Sequence, residues 1–157
     1  MPATPTDALI QAIVVVWNQK IKSVGNLPAL EDTEKVPGAN FPYAVVQMGP
    51  PEIVSRMSGH TPTEKHLIYE VPVSFRIHTR SEQGASKSAK ASAAELGEEV
   101  LKAYGGHQTT APPTPQLATG QHLNTQILRE YGVWNGDQTY QWNIEYLFVI
   151  DMPIATG

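Results

Sequence analysis

Near the start of the chain, apolar residues recur at steps of three and four: Leu9, Ile10, Ile13, Trp17, Ile21 and Val24. That spacing lines one side of a helix. Thr6 is the expected N-cap, with Asp7 in the first turn where its charge suits the helix dipole. Gly25-Asn26 and Pro28 supply the stop. Val14-Val15-Val16 is β-branched and would also suit a strand. Further on the period changes to two. Leu67, Tyr69, Val71, Val73, Phe75 and Ile77 alternate with Glu70, Pro72, Ser74, Arg76 and His78, which predicts a long half-buried strand. Pro72 lacks an amide donor, so this strand is expected at a sheet edge or bulged there.

The remaining elements follow from the same reading. Pro42–Met48 is a short strand closed by Gly49-Pro50-Pro51, and Glu52–Met57 continues as a second one. Ser58–Pro62 has the composition of a hairpin tip. A helix capped by Ser81 is predicted to run to Tyr104 on the stripe Ala85, Ala89, Ala93, Leu96, Val100 and Tyr104, closed by Gly105-Gly106. Its expected length matches the strand before it, although Gly84 and Gly97 weaken it. Asn135-Gly136-Asp137 is a strong hairpin signal between strands at about Leu123–Trp134 and Tyr140–Asp151. The stretches Asn26–Asn40 and His107–Gly120 read as mobile surface loops. No internal repeat is present. This order predicts one α+β domain over residues 1–157, a mostly antiparallel sheet with an N-terminal helix and a long central helix packed on it.

Length and composition agree with one domain: 157 residues, 41% hydrophobic and 17% charged. The net charge of −4 argues against a surface that wraps nucleic acid. The absence of cysteine excludes disulfides, thiolate zinc sites, iron–sulfur clusters and a cysteine nucleophile. No run approaches the ~20 apolar residues that span a bilayer. Asp7 stands where a signal peptide would carry positive charge, so no secretory signal is expected. The expected location is the cytoplasm or an exported particle.

A search for chemistry ends without a catalytic constellation. His60, His66 and His78 show no metal-ligand spacing and read as solvated. No nucleophile elbow or phosphate-cradling loop is present. Glu95, Glu98 and Glu99 read as an exposed helix face. Arg76, Arg80, Lys87 and Lys90 form a modest basic neighbourhood, for which a solvated junction is the simpler reading. No catalytic, cofactor or metal residue is assigned. The second face of the sheet is different: it reads as polar with little charge at Ser74, Asn124, Gln126, Thr139, Gln141 and Asn143, and turns apolar at Leu147 and Val149. Such a surface suits repeated protein contact, or the first helix covers the apolar pair. The candidate interface residues are Leu147, Val149, Pro72, Ser74, Arg76 and His60.

The order and texture of these elements resemble a known family. An amphipathic N-terminal helix, the strand FPYAVVQMG, the long strand ending VSFRIHTRS, an Ala-rich helix and the closing strand GDQTYQWNIEYLFVI resemble the tail terminator, or tail completion, proteins of long-tailed phages. The resemblance runs from about Thr6 to Pro153. It implies a structural virion subunit of the tail or neck, assembled in the host cytoplasm into a closed ring, commonly a hexamer. Such a ring caps the tail tube, stops its polymerisation and joins the head-tail connector, while DNA passes through without sequence-specific binding. It implies no cofactor and no membrane partner. The Pro-rich loop His107–Gly120 and the acidic loop Glu31–Pro37 depart from the family pattern. Head-closure and neck proteins have a similar architecture. A small ligand-binding or enzymatic α+β domain using Arg76, His78 and Arg80 is the alternative from another class.

Overall fold

The computed structural model describes residues 4–21, 41–61, 64–81, 88–105, 115–117, 119–136 and 138–155. Two helices and five strands follow in the order α1 (Pro5–Lys20), β1 (Tyr43–Met48), β2 (Glu52–Thr61), β3 (Glu64–Arg80), α2 (Ala89–Tyr104), β4 (Gln121–Asn135) and β5 (Thr139–Ala155). The predicted stop at Gly25-Asn26, most of the two predicted loops and Pro62 lie outside the described residues; Ser58–Thr61, expected as a hairpin tip, instead continue β2 as strand.

All pairings are antiparallel. β3 and β5 form the spine of the sheet, with 17-residue strands paired without a register shift from Glu64–Ala155 to Arg80–Thr139. β4 adds to the far side of β5. On the other side of β3, β1 and β2 share one edge: β1 pairs with Val73–His78 and β2 with Glu64–Glu70. The fold is therefore α+β with an antiparallel sheet, as the alternating pattern predicts.

Pro72 corrects one expectation. Its strand is central, not an edge. Pro72 sits where the partner strand breaks at Gly49-Pro50-Pro51, and its carbonyl accepts the Gly49 amide at 2.8 Å. The N–H and C=O of one strand residue point the same way, so the missing donor of Pro72 faces that break and interrupts no bond to β5.

Both helices lie on one face. Val71, Val73, Phe75 and Ile77 of β3, with Ile144, Tyr146, Phe148 and Ile150 of β5, form one core with Leu9, Ile13 and Trp17 of α1 and Leu96, Val100 and Tyr104 of α2. Phe75 is the hub. It stacks on Trp17 at 5.9 Å and Tyr104 at 4.8 Å, and meets Tyr146 edge-on at 5.7 Å. The Tyr104 hydroxyl donates to the Ile13 carbonyl at 2.7 Å and ties the helices together. Burial among these rings raises the Tyr104 pKa, and the neighbouring Tyr146 adds to the shift. Tyr104 therefore stays protonated and keeps its donor role.

Both helix starts differ from the sequence reading. Thr4, not Thr6, caps α1, accepting the Asp7 amide at 3.1 Å, with Pro5 at the first helical position. Ser88, not Ser81, caps α2, accepting the Ala91 amide at 3.2 Å. Ser81 instead reaches across to accept the Ala89 amide at 3.3 Å, while Thr79 donates to the Ala89 carbonyl at 2.6 Å. At ~1.5 Å per residue α2 spans roughly 24 Å, against about 56 Å for β3 at ~3.3 Å per residue. The expected match in length does not hold. Gly97 has a packing role: a Cβ there would lie 2.7 Å from the Trp142 indole.

On the helix side of β4, the His122 Nε2 and the Thr125 Oγ1 share a hydrogen bond at 2.6 Å, and the ring meets Phe148 edge-on. Burial holds its pKa below the usual histidine range, against a smaller opposing effect of a backbone hydrogen bond at Asn124. Protonation is thus easier in the unfolded chain. Stability is full above the unfolded value of ~6.5 and is lost as pH falls through it. Thermal melts between about pH 7 and about pH 5 should show the wild type losing stability faster than His122→Gln.

Candidate interaction surface

Residues one position out of phase with the core populate the opposite face of the sheet. Glu70, Pro72, Ser74, Arg76 and His78 of β3 stand opposite Val149, Leu147, Glu145, Asn143 and Gln141 of β5. No described helix packs there. Leu147 and Val149 are half-buried, and they lie outside the apolar core that contains α1. Because α1 stacks through Trp17 on the far side of Phe75, it does not cover this pair.

The face is more charged than its sequence suggests. Arg129 of β4 forms a forked ion pair with Glu145 of β5, and its guanidinium lies 4.9 Å from the Tyr131 ring centroid. Glu145 raises the Arg129 pKa, first through its hydrogen bond and then through its charge. Arg76 donates to the Gln47 side chain at 2.6 Å. His66 and Asp151 are 2.9 Å apart. Asn135 donates to Gln141 at 2.9 Å, and Gln141 donates to Asn143 at 2.7 Å, forming an amide chain along β5. These bonds hold polar side chains against the sheet.

A groove of about 370 Å³ crosses the middle of this face. Gln47, Gly49, Pro72, Ser74, Leu128 and Glu145 line it. The candidate residues Pro72 and Ser74 thus share one depression, with Leu147 directly opposite Pro72 on β5. Arg76 is one rung away. His60 lies in β2, with its side chain outside the described residues. Leu128, Gln47 and the Arg129–Glu145 pair were not singled out in the sequence. Leu128 falls at a register shift between Ile127 and Arg129, which simple alternation cannot reveal.

The histidine and arginine neighbourhood does not converge on one site. His78 is buried and stacked on Tyr43 at 4.5 Å, which corrects its reading as solvated. Arg80 lines a separate cleft with Phe41, Asn135, Gln138 and Thr139. Lys87 lies outside the described residues. Among the described residues no group of three His, Asp or Glu side chains is placed to hold a metal, and no helix is long and apolar enough to cross a membrane.

No protein-family model and no curated protein matches the chain. Among solved structures, a chain of the "Virion of native gene transfer agent (GTA) particle" is similar over 92% of each chain, at 15% identity and a TM-score of 0.42. A likeness at that level carries no argument about function, which has to rest on the chemistry of the surface itself.

The two described histidines of this region should behave differently. His78→Ala removes a buried stacking partner and should lower stability by about 1–3 kcal/mol in urea denaturation. His66→Ala, at a partly exposed pair, should cost under about 1 kcal/mol in the same measurement.

Proposed function

We propose that this chain is a structural subunit of a phage-like tail, a tail terminator that closes into a ring on the end of the tail tube. The observation that carries the reading is the one-sided packing of the sheet. Both helices cover one face, while the other presents fixed polar side chains around a groove with Leu147 and Val149 beside it. A surface of mixed polar groups with a small apolar centre suits contact with other protein subunits. The resemblance of the element order to tail terminators supports the same role.

In this reading copies of the chain, six being the expected number, contact one another, the tail tube protein and the head-tail connector or neck proteins. The ring ends tube growth by covering the last layer of tube subunits. The excess of acid over base suits a passage that DNA traverses without being gripped. Interface residues are Leu147, Val149, Pro72, Ser74, Arg76 and His60. A head-closure protein, the competing role, would bind the connector and leave tube length unchanged.

The test is Leu147→Lys/Val149→Lys. Both side chains stand outside the core, so the subunit should keep its circular dichroism spectrum. Charge placed in a desolvated seam should abolish rings in negative-stain images, and tubes grown with the variant should run to uncontrolled lengths. Normal rings and normal tube lengths would overturn the assignment of this face.

A further inference from the structure

Among the described residues nothing pairs with either outer edge of the sheet, and both edges carry exposed apolar side chains. β4 is 15 residues long and contains neither Lys nor Pro, two of the residues that blunt an edge strand, and its two register shifts leave Gln121–His122, Asn124–Ile127 and Arg129–Asn135 as the segments able to pair. Its two charged residues are Arg129 and Glu130, and Arg129 is tied to Glu145. Leu123 and Leu128, at the two register shifts of β4, are 45% and 51% exposed. Tyr131, Val133 and Trp134 are exposed on the same strand. At the opposite edge, β2 exposes Ile53 and Val54.

We infer that these edges join in a head-to-tail contact, β4 of one copy against the β1/β2 edge of the next. This rests on the ring reading and adds an edge contact to the contact made by the face bearing Leu147 and Val149. Three observations select a second copy as the occupant. First, strand direction fits. β3 and β4 run one way, and β1, β2 and β5 run the other. A second copy laid beside β4 with the same face up therefore presents an antiparallel strand and continues the alternation across the seam.

Second, the rungs agree. Ile53 pairs with Tyr69, Tyr69 with Ile150, and Ile150 with His122, the neighbour of Leu123. If the rung carries straight on into the next copy, His122 meets Ile53, and Leu123, the extra residue of the adjoining register shift, lies beside them. Third, one contact satisfies both edges. A two-fold pairing of β4 with β4 would cover one edge and leave Ile53 and Val54 in water. A head-to-tail contact uses both edges in every copy and closes when the rotation per copy divides a full turn.

The test blocks each edge separately. Leu123→Lys/Val133→Lys charges the β4 edge, and Ile53→Lys/Val54→Lys charges the β2 edge. All four side chains are about half exposed and lie outside the core clusters, so each variant should keep its fold and melt close to the wild type. At a concentration where the wild type assembles, light scattering should find each variant monomeric. An equal mixture keeps one intact edge on each partner, so it should double in mass to a 1:1 pair and stop there. Assembly of the β2-edge variant alone points to a two-fold contact and overturns the inference. So does a mixture that stays monomeric.

The natural lack of cysteine provides a second measurement that also works on tube ends. A chain carrying His122→Cys and Ile53→Cys should give a ladder of disulfide-linked multimers on mild oxidation, and neither single variant should. Failure to form that ladder in assembled material overturns the seam. Wild-type rings with unchanged assembly of both lysine variants would overturn the edge contact and leave the ring reading standing. A wild type that never assembles, alone or on tube ends, would overturn the ring reading itself.

Discussion

The pairing of β3 with β5 is the constraint on which the rest of the molecule depends. It runs unbroken from Glu64–Ala155 to Arg80–Thr139. Side chains alternate along a strand with a period of two, so this one register decides which residues meet the helices. It sends Phe75, Ile144, Tyr146 and Phe148 to the core and Ser74, Glu145 and Leu147 to the opposite face. A slip of one residue would exchange those sets, burying Glu70 and Glu145 and exposing a cluster of aromatic rings. The cost of burying unpaired charge and of exposing that much apolar area makes the register well specified.

The outer strands and the helices build on this spine. On one side, β1 and β2 divide the length of β3 between them, and the donor-free Pro72 falls where they part. On the other side, β4 reaches only as far as Asp151, so the last residues of β5 extend past it. α2 is held at its start by Thr79 and Ser81 from the end of β3, and its last helical residue, Tyr104, reaches across to α1. Helical packing is thereby confined to one face. Among the described residues the opposite face, its groove and the two sheet edges carry no helix, which is why the proposed function is one of surfaces and assembly.

The sheet and the second face were largely legible in the sequence because both follow from alternation. Phe75 and Tyr146 read as core, and Leu147 and Val149 as the outer pair, from period alone. The hairpin at Gly136 was legible because its turn needs a positive φ, and Gly136 has one. Most of what failed depended on partners far away in sequence. Thr4 and Thr6 can both cap a helix, and Pro5 at the first helical position selects Thr4 locally; of Ser81 and Ser88, Ser81 is drawn instead to the Ala89 amide at the start of α2. Pro72 looked like an edge residue because nothing local reveals a break in the neighbouring strand. His78 looked solvated because its stacking on Tyr43 joins strands 35 positions apart. Leu128 and the Arg129–Glu145 pair were missed because a register shift hides them from a strict two-residue count.

The central claim is that the open face and edges of the sheet, and not the helices, meet other copies and the tube. An electron cryomicroscopy map of the assembled protein on tube ends, at a resolution that traces strands, tests this most directly. The account predicts seams formed by β4, β1/β2 and the face bearing Leu147 and Val149, with α1 and α2 packed within their own subunit. A map in which neighbouring subunits meet through the outer surfaces of α1 and α2, with that sheet face turned to solvent, would contradict it.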